Sequence, residues 1–331
     1  MRLIPQISIT LAVIPLLWLA NTCPAMDIHA SRNLTTALGD SIEAKIVMVE
    51  EHHVTFIRVA DNQEFKVRPE MFSNADQAYF QKWKASKSSF DKQGRTRPKH
   101  WDERLVPGYS FSIEFDNLEP TLSGKPAHAR IRLPDQYVYN KRFPMLVWLN
   151  PGNGGTVLPA KLAPSEKFIT VSLPYPESTD RPRIAMMRGE VDKIGKYHKE
   201  MIKEVFDLIP NIDDRLVVCA GFSSGAHITA CGGSRNWKWF EKTFTCLIMI
   251  EGACTAPKSL KGFKNKYVYS AYGSESPFDA TPVFNRQIQS HNPKLFTERI
   301  MPGVAHEFPH KEQLVARKWL TEKVMPACLS E

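Results

Sequence analysis

The 331-residue chain contains no C-x-x-C pair and no zinc-knuckle spacing, which sets aside a thiol–disulfide oxidoreductase and a structural zinc site. It also lacks any nucleic-acid-binding signature. The balance of 43 Lys and Arg against 35 Asp and Glu leaves a net charge of +8. A basic surface without a recognition motif speaks for solubility and not for nucleic acid, so no nucleic-acid partner is expected. Beyond the first 26 residues no apolar run approaches the roughly 20 residues of a membrane-spanning helix. Five cysteines follow that point, Cys219, Cys231, Cys246, Cys254 and Cys328. An odd number leaves at least one unpaired in an oxidising compartment, and Cys219 and Cys246 sit inside apolar runs as small buried hydrophobes.

What the chain does have begins at its start. "MRLIPQISITLAVIPLLWLANTCPAM" places one arginine before an apolar run that ends in small residues, with Cys23 and Ala25 at −3 and −1 of a cut before Met26. This pattern predicts a secretory signal peptide over 1–25, with the mature protein secreted or periplasmic and with no membrane partner. Residues 39–72 alternate apolar and polar positions in short runs, "SIEAKIVMVEE", "HHVTFIRVA" and "QEFKVRP", separated by turn residues, which predicts small antiparallel strands. "SNADQAYFQKWKAS" then reads as a short helix capped by Ser73 or Asn74. The segment 85–107 is basic and poor in apolar residues and reads as a linker. On the strand spacing and the "ADQAYFQKW" tail, residues 39–84 resemble the Sla-type homology domain, a small Src-homology-like β-barrel. The resemblance implies an all-β barrel module over 26–84 that docks a protein or polymer and carries no catalytic residue.

From residue 108 eight strand-like runs follow: "FSIEF", "HARIRL", "PMLVWLN", "FITVSLP", "RLVVCAG", "FTCLIMIEG", "KYVYSAY" and "LFTERIMP". Helix-length stretches at 188–208, 224–235, 281–291 and 310–323 intervene between the later ones. Near-continuous apolar strands alternating with helices predict a mostly parallel sheet flanked by helices, an α/β domain over 108–331.

Within that domain "GFSSGAH" holds a G-x-S-x-G pentapeptide, Gly221 to Gly225, directly after the buried run "RLVVCA" and directly before a short helix. Strand, sharp turn and helix form the context of a nucleophile elbow, in which a strained serine needs small neighbours on both sides. On these features residues 108–331 resemble the α/β-hydrolase family. The resemblance implies an eight-stranded α/β-hydrolase fold in which Ser223 is the nucleophile. "PGVAHEFP" (302–309), after the last strand, offers His306 as the general base. "VWLNPGNGG" (147–155) offers the backbone amides of Gly152 and Asn153, with that of Ser224, as oxyanion donors. The family's usual acid slot, G-x-x-D after the seventh strand, reads Gly273-Ser274-Glu275-Ser276. Glu275 and Asp279 are therefore the expected acids, with Glu251, at the end of the sixth strand, as the fallback. The implied function is a secreted serine hydrolase acting on a small or polymer-linked carboxylic ester, without metal or organic cofactor. The serine at 276 keeps open a catalytically silent binding protein of the same fold, with a serine peptidase as a third reading. The short span 253–265 leaves little room for a cap.

Overall fold

The computed structural model describes residues 31–50, 52–61, 63–92, 102–159, 161–277 and 280–330. The expected leader over 1–25, the middle of the expected linker and Asp279 lie outside the described residues. The chain divides between Phe90 and Asp91 into two compact units.

In the first unit β1 (Arg32–Thr35), β2 (Ser41–Val49), β3 (Val54–Arg58) and β4 (Glu64–Val67) form an antiparallel meander in sequence order. Among the described residues no ladder joins β1 directly to β4, but the end of β1 meets the segment after β4 through an antiparallel bridge between Thr36 and Phe72, with the Ser73 amide donating to the Thr35 carbonyl at 2.8 Å, which is consistent with a small β module. The helix α1 (Asn74–Lys92) follows. Its Phe80 and Trp83 are buried with Leu34, Ile46, Val54, Phe56 and Phe72, so the helix contributes to the core of this unit. Asp76 fixes the start of that helix by accepting from the Thr35 amide at 2.8 Å and from Arg32 at 2.9 Å. The helix also runs on to Lys92, through the first residues of the expected linker, and Leu105 near the linker's end is buried in the second unit.

The second unit is a mixed α/β layer structure. Its strands are β5 (Ser110–Glu114), β6 (His128–Arg132), β7 (Phe143–Leu149), β8 (Ile169–Leu173), β9 (Ile212–Phe222), β10 (Cys246–Ile250), β11 (Tyr267–Gly273) and β12 (Leu295–Met301). They lie in the order β12-β11-β10-β9-β7-β8-β6-β5, with β6 antiparallel to both neighbours and the six strands from β7 to β12 parallel to one another. This is consistent with the expected α/β-hydrolase architecture. The helices are α2 (Pro182–Met187), α3 (Val191–Leu208), α4 (Ser224–Ser234), α5 (Lys238–Thr243), α6 (Ala280–Gln289), α7 (His310–Trp319) and, after a π-helical turn, α8 (Met325–Leu329).

Strand periodicity distributes the central side chains to two cores. Met145, Val147 and Leu149 of β7 pack on one face with Ile194, Met201 and Val205 of α3, while Leu146 and Trp148 pack on the other with Trp319, Leu320 and Val324. Each such aliphatic burial is worth roughly 1.5–3 kcal/mol, which is why β7 and β10, buried at every position, sit in the interior of the sheet. The parallel arrangement sends the chain out of β7, β9, β10, β11 and β12 at one edge, where a site can be assembled from several loops.

Candidate active site

β9 lies between β7 and β10, with Gly221 opposite Leu149 on one side and Phe222 opposite Ile250 on the other. The next residue, Ser223, has φ 54° and ψ −112°, a conformation that non-glycine residues adopt at a cost of order 1–3 kcal/mol. Its amide donates to the Ile250 carbonyl at 2.8 Å, and its carbonyl accepts from His227 at 3.0 Å as α4 begins. The flanking glycines follow from packing. A Cβ on Gly221 would stand 2.3 Å from the Gly225 carbonyl carbon, and one on Gly225 would stand 1.9 Å from the Leu149 carbonyl oxygen. Strand and helix meet backbone to backbone here, and no larger residue fits.

The structure brings His306 to this serine: Ser223 Oγ and His306 Nε2 are 2.8 Å apart. The imidazole lies against the Phe222 ring, with centroids 5.2 Å apart, so a residue of the serine turn also supports the base. On the far side of the ring Nδ1 lies 3.3 Å from Oε2 of Glu251. The carboxylate beside His306 is therefore Glu251, the fallback of the sequence reading, and the expectation of Glu275 is corrected. Glu275 is exposed, and its amide donates to the Val304 carbonyl at 2.9 Å. Asp279 lies outside the described residues.

Glu251 is fully buried and has φ 56° directly after β10. A buried carboxylate needs donors, and the end of β11 and the turn after it supply them. The Gly273 amide donates to Oε1, and Ser276 Oγ–H donates to Oε2 at 2.5 Å. Ser276, in the slot where the sequence resemblance would place an acid, thus holds the carboxylate that arrives from the neighbouring strand. The same turn braces the histidine loop: Ser274 N–H donates to Met301, and the Gly303 amide donates to Ser274 Oγ at 2.8 Å.

The remaining expected site residues lie at two helix and strand ends. Ser224 is buried and opens α4, where the first amides have no intrahelical carbonyl and the helix dipole favours negative charge. Gly152 and Asn153 are exposed on the loop after β7. That loop is held by Asn150, whose Nδ2 donates to Ser172 Oγ at 2.8 Å and to the carbonyls of Gly155 and Val157 at 3.1 Å. Buried Tyr175 donates to the Asn150 carbonyl at 2.5 Å. The sequence reading missed both Asn150 and Tyr175; an asparagine before proline reads as an ordinary turn, and Tyr175 meets it only through the β7–β8 pairing. Two other histidines are built into the core. His198 Nε2 lies 2.8 Å from the Pro174 carbonyl, and burial lowers its pKa to about 4. His227 Nδ1 lies 2.6 Å from the Ala253 carbonyl, and burial lowers its pKa as well. Among the described residues no group of three or more His, Cys, Asp or Glu is placed to hold a metal ion.

No family model and no curated protein matches the chain. Among solved structures it is similar to Thermogutta terrifontis esterase 2 phosphorylated by paraoxon, at 16% identity and TM-score 0.48, over 65% of this chain and 94% of that one. It is similar to the native form of the same thermophilic esterase at 12% identity and TM-score 0.46, over 67% and 92% of the two chains. TT1662 from Thermus thermophilus gives 12% identity and TM-score 0.46 over 64% and 97%. A likeness this shallow carries no information about activity.

Proposed function

We propose that the chain is a serine hydrolase that cleaves carboxylic esters through an acyl-enzyme on Ser223. The observation that carries this reading is the line from Ser223 Oγ to His306 Nε2, 2.8 Å, and from His306 Nδ1 to Glu251, 3.3 Å, built on a serine held at positive φ. Ser223 Oγ attacks the ester carbonyl carbon while its proton passes to His306 Nε2. Glu251 keeps Nδ1 protonated, so that Nε2 is the free base, and then stabilises the imidazolium. Negative charge on the carbonyl oxygen is met by the Ser224 amide and by the amides of Gly152 and Asn153, each such donor being worth about 3–4 kcal/mol. His306 returns its proton to the departing alkoxide. Water, deprotonated by the same imidazole, then releases the carboxylic acid and restores Ser223. No step draws on a metal or an organic cofactor.

The catalytically silent alternative drew its support from the serine at 276. That serine donates to a buried carboxylate that lies against His306, and the feature no longer favours it. No group of the mechanism comes from the N-terminal unit, which supports a docking role for that unit, and the leader pattern at 1–25 supports work outside the cytoplasm. Hydrolysis of short-chain chromogenic esters tests the proposal. The wild type should turn them over, and Ser223→Ala, with folding checked, should lose at least about 10⁴-fold in kcat. A wild type inert on a panel of acyl lengths would contradict it.

A further inference from the structure

Cys231 and Cys254 take no part in the proposed mechanism, yet their sulfurs are 3.6 Å apart. Cys231 is in α4, two turns beyond Ser223, and Cys254 lies three residues after Glu251. Both are buried, at 0% and 3% exposure. The pair is asymmetric. The Cys231 thiol donates toward Cys254 Sγ, and Arg235, at the C-cap of α4 four residues after Cys231, has a side chain only 7% exposed. One guanidinium nitrogen of Arg235 lies 3.4 Å from the carbonyl of Ala256, two residues beyond Cys254, and another is 3.6 Å from Asp192. Its Nε is buried without a hydrogen-bond partner among the described residues. A buried cation with an unused donor stabilises an anion beside it. We infer that Cys231 and Cys254 form a peroxide-oxidisable thiol pair, in which Cys254 takes the oxygen and Cys231 resolves it to a disulfide.

The donor arrangement supports the order. The Cys231 thiol, together with Ser234, the Ala256 amide and the Arg235 charge, holds the Cys254 thiol below its ordinary range, at about 6, against the opposing effect of burial. The same contact and burial raise Cys231. Burial of both sulfurs excludes a bulky oxidant, and hydrogen peroxide is the small one assigned. Cys254 sulfur attacks one peroxide oxygen, the O–O bond breaks, and hydroxide leaves a sulfenic acid on Cys254. Cys231 gives up its proton, its sulfur attacks the Cys254 sulfur, and the S–O bond breaks. With the proton first lost from Cys254 returned from solvent, two thiols and one peroxide become one disulfide and two waters. The sulfurs must approach by about 1.5 Å to reach bonding distance, which side-chain rotation can supply. The bond ties the helix that starts beside Ser223 to the loop that starts at Glu251.

The test does not use ester hydrolysis, so its failure and failure of the hydrolase proposal are separate results. Full-length protein is reduced with a phosphine, freed of it, treated with equimolar hydrogen peroxide, alkylated in denaturant and digested with trypsin without reductant. Peptides 216–235 and 243–258 should appear joined, with fragmentation placing the bond between Cys231 and Cys254 and with Cys219 and Cys246 alkylated. Full alkylation of Cys231 and Cys254, or a bond that uses Cys246 or Cys328 instead, overturns the inference. In Cys231→Ser a sulfenic-acid trap such as dimedone should label Cys254, and in Cys254→Ser it should leave Cys231 unlabelled; the reverse pattern overturns the assigned order. Should either variant misfold, the wild-type cross-link map decides.

Discussion

Ser223, His306 and Glu251 meet across 83 and 55 residues of sequence, and each is held by something other than the other two. Ser223 is fixed by the glycine contacts, His306 by Phe222 and the brace at Ser274, and Glu251 by two donors from the end of β11 and the turn after it. This division of labour distinguishes the two acids experimentally. Glu251→Gln should lower kcat on a chromogenic ester by at least about 100-fold, since loss of a triad carboxylate costs up to about 10⁴. Glu275→Gln should stay within a few-fold of wild type. A large loss in Glu275→Gln with none in Glu251→Gln would reverse the assignment. Ser276 does not touch substrate in this scheme; it positions Glu251. Ser276→Ala leaves the Gly273 amide on the carboxylate, so an intermediate loss, about 10-fold in kcat with KM little changed, is expected. A fall in kcat/KM that comes wholly from KM would assign Ser276 to binding instead.

At the level of elements, each of the eight runs from "FSIEF" to "LFTERIMP" forms a strand of the sheet; the inner β7 and β10 are buried at every position and read as continuous apolar runs, while the outer β5 and β6 alternate buried with more exposed positions. Two short helices were not legible. α2 and α5 have Arg181 and Trp237 at their N-caps, with no side-chain cap bond to announce either. Ser223 and His306 were legible because each is tied to a local pattern, a strand–turn–helix and the loop after the last strand. Glu251 ranked last among the acids because its claim rests on hydrogen bonds 22 and 25 residues away, which no local pattern encodes. The strand–helix junction should tolerate no added carbon: Gly225→Ala should lower the unfolding free energy by about 3 kcal/mol or more, read from the urea midpoint. The packing of α3 makes a pH prediction. His198 is buried with a pKa of about 4, below its ordinary 6.5, so the unfolded chain binds a proton that the folded chain refuses. Its contribution is intact above pH 6.5 and is lost as pH falls toward 4, on the order of 3 kcal/mol in all. Denaturation midpoints measured across this window should fall less steeply in His198→Gln, and an unchanged slope would refute this role for the imidazole.

For the whole molecule, the division at Phe90/Asp91 and the location of every proposed catalytic group after Asn150 predict that the second unit suffices for the proposed chemistry. A fragment that starts at Asp102 retains Leu105, buried in the core, and Arg104, whose guanidinium lies 5.3 Å from the Phe111 ring centroid. It should fold and keep kcat on small chromogenic esters within a few-fold of the full chain; a folded but inactive fragment would give the N-terminal unit a part in the site. The central claim is that Ser223 is an activated nucleophile, and its most direct test is covalent. The full-length protein is incubated with a fluorophosphonate, weighed intact and mapped by peptide sequencing. One adduct per chain at Ser223, absent in Ser223→Ala and strongly slowed in His306→Ala, is the expected result. An unlabelled wild type, under conditions that label a control esterase, or an adduct on any other residue would contradict it.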